Sequence, residues 1–199
     1  MGKKVVAIVG SYRKGGTVDT LVDAILMGAK EKGAETEKIY LLDKHIEFCT
    51  NCRSCTQSEG PQRGKCTQED DLESVLEVID QADAIVLGAP VNFFNVNALF
   101  RRFLERLVGY AYWPWGKAAG PAPRSKTRLK KAALVTSSAM PGFLIPLATG
   151  APRALKLAAK TIGAKPVGKI QVGLSAVNPK QDLPLKALQK ARKVGARLV

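Results

Sequence analysis

The sequence predicts an α/β protein whose parallel sheet is wound on both faces. Three observations predict it. Short apolar runs alternate with helical patterns along all 199 residues, as in successive β–α units. Runs such as Val5–Val9 and Ala84–Leu87 are apolar at every position, as strands buried on both faces are. Three polar or glycine-bearing turns, Ser11–Thr17, Pro90–Asn95 and Ser137–Gly142, each follow such a run, and ligands of these sheets collect at the carboxyl ends of the strands.

The first strand, Val5–Val9, breaks at Gly10. Ser11, Arg13, Gly15, Gly16 and Thr17 follow, and Leu21, Val22, Ile25 and Leu26 then mark an amphipathic helix. Such a turn leaves N–H groups of Ser11–Val18 free at a helix N-terminus, where the dipole favours an anion. The hydroxyls of Ser11 and Thr17 and the guanidinium of Arg13 suit a phosphate. The spacing matches neither the Walker pattern nor the dinucleotide fingerprint, and an ordinary strand-to-helix turn is the alternative reading.

Gly33 ends the first helix, and Thr36–Leu42 reads as the second strand. The segment 45–65 has no periodicity and reads as a loop carrying the single histidine, His45, as an exposed side chain. A helix is expected from Thr67, paired with Asp70 in a capping-box-like arrangement, with Leu72, Val75, Leu76 and Ile79 on its apolar face. Ala84–Leu87 is the third strand. Val96, Leu99, Phe100, Phe103, Leu104 and Leu107 then recur at helical spacing.

Residues 109–130 form a long aperiodic loop with Tyr110, Tyr112 and both tryptophans, Trp113 and Trp115. Its length and its aromatic side chains predict a subunit interface or a cover over a neighbouring ligand. Ala132–Thr136 is the fourth strand. Ser137 and Ser138 after it either contact the ligand or simply end the strand. Leu155–Ile162 reads as helix and Lys169–Leu174 as the fifth strand. Asp182 is expected to cap a last helix, with Pro184 in its first turn. With no repeat and no linker, residues 1–199 read as one domain with a Cys-rich loop at 45–66 and a long loop at 109–130.

Apolar residues make up 46% of the chain, and 31 Lys and Arg stand against 17 Asp and Glu, a net charge of +14. The cations are spread out rather than gathered in a nucleic-acid arm, so a solvated basic surface with an anionic ligand is the preferred reading. No nucleic-acid or membrane partner is expected. No apolar stretch is long enough to span a bilayer and no secretory signal is visible, which makes a cytoplasmic protein the expectation. No Ser-His-acid set can be assembled, and no catalytic side chain is assigned.

All four cysteines, Cys49, Cys52, Cys55 and Cys66, fall in one short stretch. In a cytosolic chain that clustering points to metal or redox chemistry rather than disulfides. Two gaps of two residues in series favour three corners of a [4Fe–4S] cluster, while zinc or four plain thiols remain open. The four sulfurs are expected to converge, with Cys66 fixed just before a helix and the other three on a loop that is mobile without metal.

Residues 88–106, GAPVNFFNVNALFRRFLER, resemble the flavin-ring loop and following helix of NADPH-dependent FMN reductase-like flavoproteins, including the closing acidic-Arg pair, here Glu105 and Arg106. The first turn is similar to that family's phosphate loop at Ser11, Arg13 and Gly16, with Tyr12 in place of a proline and Thr17-Val18 in place of Asn-Thr. The cysteines and the Thr-Gln-Glu-Asp-Asp-Leu after them resemble the iron–sulfur flavoprotein branch, with a longer last spacing. The resemblance implies a flavodoxin-like fold of strand order 2-1-3-4-5, bound FMN, and a homodimer or homotetramer. It implies FMN contacts from Ser11, Arg13, Gly16, Thr17 and Val18 and from Pro90, Val91, Asn92, Phe93, Phe94 and Asn95, while Ser137 and Ser138 are placed at the site by position alone. Stacking on the ring falls to Phe93 or Phe94, because Asn92 replaces a common tyrosine. NAD(P)H is the implied electron donor, with a quinone, free flavin or protein as acceptor. The alternatives are an electron carrier with FMN and a [4Fe–4S] cluster, and a zinc-stabilised binding module.

Overall fold

The computed structural model describes residues 2–124, 129–176 and 182–199. Five parallel strands form the central sheet: β1 (Lys4–Val9), β2 (Glu35–Tyr40), β3 (Ala84–Gly88), β4 (Lys130–Ser137) and β5 (Ala164–Val172), in the order β2-β1-β3-β4-β5. This is the flavodoxin-like order expected from the sequence. Val5–Val9 are wholly shielded from solvent, because β1 lies inside the sheet and both of its faces carry helices.

The alternation of side chains along the strands divides the core in two. Val6, Ile8, Ile85, Leu87 and Leu134 face α2 (Leu72–Gln81), α3 (Ala98–Arg106) and α4 (Ala151–Thr161). Val5, Ala7, Val9, Val86, Ala133 and Val135 face α1 (Thr17–Lys30) and α5 (Leu185–Ala196). The two last helices named touch backbone to backbone. A Cβ on Gly28 would lie 2.0 Å from the Arg192 carbonyl oxygen, and one on Gly195 would lie 1.9 Å from that of Ile25.

The end of α1 follows the sequence expectation. Gly33 adopts φ +81, its N–H reaches the Lys30 carbonyl at 2.9 Å, and the Ala34 N–H reaches that of Ala29 at 3.2 Å. These are the paired bonds of a Schellman stop.

Several element boundaries differ from expectation, including the earlier starts of β4 at Lys130 and of α4 at Ala151. β2 ends at Tyr40, and Leu41–Asp43 form a short 3₁₀ turn instead. α2 starts at Leu72, and Thr67 caps nothing: the Leu72 N–H is taken by Asp70 Oδ1 at 3.0 Å. β5 begins at Ala164, before the expected Lys169, and runs through Pro166 and Gly168. Its register against β4 slips between Ala132 and Ala133, and a bulged edge strand is where a sheet accepts proline. α5 begins at Leu185 with Pro184 just outside it at the N-cap, and no side chain caps it, so Asp182 does not serve.

The long loop after α3 is partly ordered by Leu107–Tyr110, a 3₁₀ turn, and by a two-stranded ribbon pairing Ala111–Tyr112 with Ala122–Pro123. It packs against the Cys-rich loop of its own chain. The Trp113 N–H reaches the Thr56 carbonyl at 2.9 Å, and the Arg53 guanidinium stacks on the Trp113 ring at 3.5 Å from its centroid. Positions 125–128 lie outside the described residues. Among the described residues, no helix is long and apolar enough to cross a membrane.

Candidate functional site

The three turns singled out in the sequence meet at the carboxyl end of the sheet. Val9, Gly88 and Val135 lie side by side in the registers of β1, β3 and β4, so the segments that follow must emerge together. They enclose a cavity of about 440 Å³ lined by Ser11, Tyr12, Arg13, Gly16, Thr17 and Val18, by Pro90, Val91 and Asn92, and by Ser137, Ser138 and Ala139, with Ser175 and Ala176. That volume is in the range of small-molecule sites.

Its first wall is built for an anion. The helical ladder of α1 opens with the Thr20 N–H on the Gly16 carbonyl at 2.9 Å, so the N–H groups of Thr17 and Val18 precede it and have no intrahelical acceptor. Val18 itself is buried in the core and can offer only its backbone. Ser11 Oγ accepts the Arg13 N–H at 3.1 Å, which curls the loop and leaves the Arg13 side chain exposed at the cavity.

A buried carboxylate braces this loop from below. Asp19 accepts the Gly15 N–H at 2.6 Å, Lys38 Nζ at 2.9 Å and the Tyr40 hydroxyl at 3.0 Å. Burial opposes the charge on Lys38, yet its hydrogen bonds to Asp23, Tyr40 and Asp19 hold it above the ordinary lysine value. The negative charge of Asp19 is thereby balanced and does not confront an anion above it.

The opposite wall is two loops zipped together. Ser138 N–H donates to the Val172 carbonyl at 3.0 Å, and Ser175 donates to the Ser138 carbonyl through both its N–H and its hydroxyl, each at 3.0 Å. Ser137 and Ser138 are buried and line the cavity. Ser175 and Ala176 join them only because β5 ends beside β4, a relation of neighbouring strands that no local motif signals. Tyr12 and Ala139 lie within turns that the sequence singles out, without a contact being assigned to either.

Phe93, Phe94 and Asn95 do not line this cavity. Val91–Asn92 and Asn95–Val96 pair as a hairpin, and the two residues between them, Phe93 and Phe94, have φ of 46 and 64. That is the positive-φ turn a two-residue hairpin demands, here made by residues that rarely accept it. It swings both rings outward: Phe93 is 99% exposed and Phe94 64%. Among the lining residues of that loop, Pro90, Val91 and Asn92 remain.

A second hollow of about 470 Å³ is lined by Arg63, Glu73, Asp80 and Tyr110 among others. Its two carboxylates are already engaged, since Arg63 meets Glu73 and Asp80 at 2.6 Å each.

The four cysteines surround a single small hollow together with Arg106. The chain turns sharply there, with Asn51 and Arg53 at φ 55 and 60. Burial pushes the Cys55 thiol up, reinforced by the nearby Cys66, Cys49 and Cys52. Hydrogen bonding from Ser54 brings Cys52 down to about 7. Among the described residues, no three His, Cys, Asp or Glu side chains are gathered closely enough to hold a single metal ion, while all four cysteines line the one hollow. The thiols turn to other partners, Cys52 accepting from Ser54 at 3.4 Å and Cys66 from Arg106 at 3.4 Å. In kind and number the donors still suit an iron–sulfur cluster or zinc.

Cys66 is not fixed by a helix start, because α2 begins only at Leu72. The loop around it is instead held by the protein. Arg124 donates to the carbonyls of Cys55, Ser58, Gly60 and Gly109 at 2.6 to 3.3 Å. His45 is exposed and pairs with Glu47 at 2.9 Å, as expected of a loop histidine.

Residues 3–178 match the protein family described as NADPH-dependent FMN reductase. An iron–sulfur flavoprotein of Archaeoglobus fulgidus is 34% identical over 111 residues, which cover 56% of this chain and 48% of that protein. One from Methanocaldococcus jannaschii is 38% identical over 103 residues, covering 52% and 51%. The matched stretch thus spans about half the length of these relatives. Among solved structures, an NAD(P)H:quinone oxidoreductase from Methanothermobacter marburgensis superposes with a TM-score of 0.70 at 20% identity over the whole of both chains. An archaeal flavodoxin superposes at 0.56 and 14% identity, covering 98% of this chain and 95% of its own. At such identities these two likenesses establish the fold.

Proposed function

The chain belongs to the NADPH-dependent FMN reductase family, and we propose that it is an FMN-dependent oxidoreductase that takes electrons from NAD(P)H and delivers them to a small-molecule or protein acceptor. The observation that carries this reading is the cavity at the carboxyl ends of β1, β3 and β4, with an anion-ready helix start at one wall. Bound there, FMN would supply the hydride and electron chemistry.

The chain's own residues have separable tasks. The N–H groups of Thr17 and Val18, the N-cap Gly16 and the Thr17 hydroxyl suit a phosphate, with the Arg13 guanidinium facing it from the rim. Ser11 shapes the loop through Arg13 N–H. Pro90, Val91 and Asn92 would flank the flavin ring, with Ser137 and Ser138 closing the other side. No side-chain acid or base is required of the protein for a hydride to reach a flavin.

The same reading gives Cys49, Cys52, Cys55 and Cys66 to a [4Fe–4S] cluster. The four thiols around one hollow, the buried Arg106 cation beside them and the names of the relatives support it. We infer further a cytoplasmic homodimer or homotetramer, since Phe93, Phe143 and Leu147 are left 74 to 99% exposed and such surfaces favour association. Phe93 and Phe94 would then meet a partner rather than stack on their own chain's ring.

Three measurements test this. Heat-released flavin should run as FMN in chromatography, and recovery of FAD or of no flavin after reconstitution would refute the reading. Steady-state NAD(P)H oxidation with a quinone acceptor should be observed; its absence, with FMN and iron both present, would leave the electron-carrier alternative. Light scattering should give a mass of two or four chains.

A further inference from the structure

Among the described residues, Arg106 is the most deeply buried cation in an ion pair, with a side chain 1% exposed beside an Asp70 side chain equally buried. It sits at the last position of α3, where a cation also meets the negative end of the helix dipole. One arm of its guanidinium, Nη1, donates to Asp70 Oδ2 at 2.7 Å and to the Glu47 carbonyl at 2.6 Å. The other, Nη2, reaches Asp70 Oδ1 and Cys66 Sγ, each at 3.4 Å. Asp70 is fixed in turn by the N–H groups of Glu47 at 2.8 Å and Leu72 at 3.0 Å.

A buried charge is retained at a cost unless its partners are fully arranged. Here one carboxylate and one carbonyl hold the guanidinium plane, and the remaining arm points to a sulfur. Only the planar fork of arginine can serve these three partners at once. The arrangement ties the Cys66 side of the hollow to the start of α2 through Asp70 and to the end of α3 through Arg106.

We propose that Arg106 is a positioning residue for the cysteine centre: it aims the Cys66 sulfur and places a fixed positive charge beside it, so that it sets both the retention of an iron–sulfur cluster and the cluster's reduction potential. This rests on the cluster reading of the four cysteines. Hydrogen bonds and charge at ligand sulfurs are known levers on cluster potential, and partners behind the ligands commonly change metal affinity ten- to hundredfold. A positive charge stabilises the reduced, more negative centre, so its removal lowers the potential.

The test uses the anaerobically prepared full chain with FMN bound, and two variants. Arg106→Lys keeps the charge and loses the fork. The double variant Arg106→Gln with Asp70→Asn removes both buried charges, so neither is left unpaired. Iron and sulfide per chain, iron lost to a chelator and the potential from a redox titration are measured, with FMN content as the control. In the double variant we expect iron to be lost to chelator roughly ten- to hundredfold faster. We also expect the oxidised-to-reduced ratio at a given poise to rise, but by less than about tenfold, under about 59 mV for one electron, because Asp70→Asn removes a negative charge as well and offsets part of the loss. Arg106→Lys should lose iron faster while its potential stays near that of the wild type. Iron-loaded wild type and variants that share one potential and one rate of iron loss would overturn the proposal and leave the cluster reading standing. If the double variant does not fold, Arg106→Lys decides by its rate of iron loss. Wild type with no iron would overturn the cluster reading and this inference with it.

Discussion

The hydroxyl of Tyr12 accepts the backbone N–H of Leu99 at 3.3 Å. Leu99 is the second residue of α3, and the N–H of the third, Phe100, is taken by Asn97 Oδ1 at 3.1 Å. Tyr12 therefore satisfies a helix-start donor that α3 cannot satisfy itself, and it does so from the phosphate-loop side of the cavity. The contact couples two walls that belong to different β–α units. We expect Tyr12→Phe to cost about 0.5–1.5 kcal/mol of stability, the usual worth of one such bond, and to weaken FMN binding. Urea unfolding and a flavin titration measure the two. An unchanged stability and affinity would mean that water replaces the hydroxyl without loss.

Arg13 has a simpler role in the same loop. Its backbone N–H is held by Ser11, while its side chain is exposed at the rim. Arg13→Ala should leave the loop shape intact and weaken FMN binding by about ten- to hundredfold, from a charge-assisted bond of roughly 1.5–3 kcal/mol. Riboflavin, which lacks the phosphate, should bind wild type and variant alike. Equal FMN affinities would show that the loop N–H groups carry the phosphate alone.

Strands buried on both faces were legible because every position must be apolar, as in Val5–Val9. Gly33 was legible because a Schellman stop needs a left-handed residue. The place of the first turn at the cavity could be read because its residues are local to one β–α junction. The start of β5 could not be, since Pro166 and Gly168 look like breakers unless the strand is known to be a bulged edge. Ser175 was invisible because it reaches the site through its pairing with Ser138. Thr67 misled because Asp70, its supposed capping partner, is engaged by Arg106 and by the N–H groups of Glu47 and Leu72. Phe93 and Phe94 misled because an aromatic loop suggests stacking, whereas a two-residue hairpin turn dictates where the rings go.

The contact of α1 with α5 predicts a stability effect far from the site. An alanine at Gly195 would gain roughly 1 kcal/mol of helix propensity. Its Cβ, however, would stand 1.9 Å from the Ile25 carbonyl, which is backbone and cannot turn aside. Overpacking of this kind costs about 1–3 kcal/mol and occasionally more. We expect Gly195→Ala to lower Tm, by about 2–4 °C for each kcal/mol of net loss. Gly120→Ala, where nothing lies within 4 Å of the added carbon, should not. Calorimetry of the two variants makes the comparison.

Acid should destabilise the fold through two carboxylates. Burial opposes the charge on Asp70, but hydrogen bonds from Arg106, Glu47 and Leu72 hold its carboxyl below the ordinary value of 3.8. Hydrogen bonding from Arg63 holds Glu73 below its ordinary 4.5. Both folded-state values are depressed, so the stability they confer is present above the unfolded values. It is lost as pH falls through the folded ones. The urea midpoint should therefore fall with decreasing pH from the ordinary carboxylate range downward. Glu73→Gln should lower the midpoint at pH 7 and flatten that fall. A variant with the full wild-type slope would remove Glu73 from the account.

The Arg124 guanidinium gives the last expectation, because it offers the cysteine loop a clasp other than metal. Its Nε donates to Gly109 at 3.0 Å, Nη1 to Ser58 at 2.6 Å and Gly60 at 3.3 Å, and Nη2 to Cys55 at 3.1 Å. Four carbonyls of two irregular segments thus share one cation. The Gly64 N–H closes the same seam on the Gly109 carbonyl at 2.9 Å. Hydrogen bonds to a charged group are each worth about 1.5–3 kcal/mol, so Arg124→Ala should open the segment while the sheet stays closed. In metal-free protein, hydrogen exchange at Thr56 and Gly64 should be slow in the wild type and about ten- to hundredfold faster in the variant. The amides of β1 and β3 should be unaffected. If these loop amides already exchange freely in metal-free wild type, the clasp does not hold the loop, and the metal orders it after all.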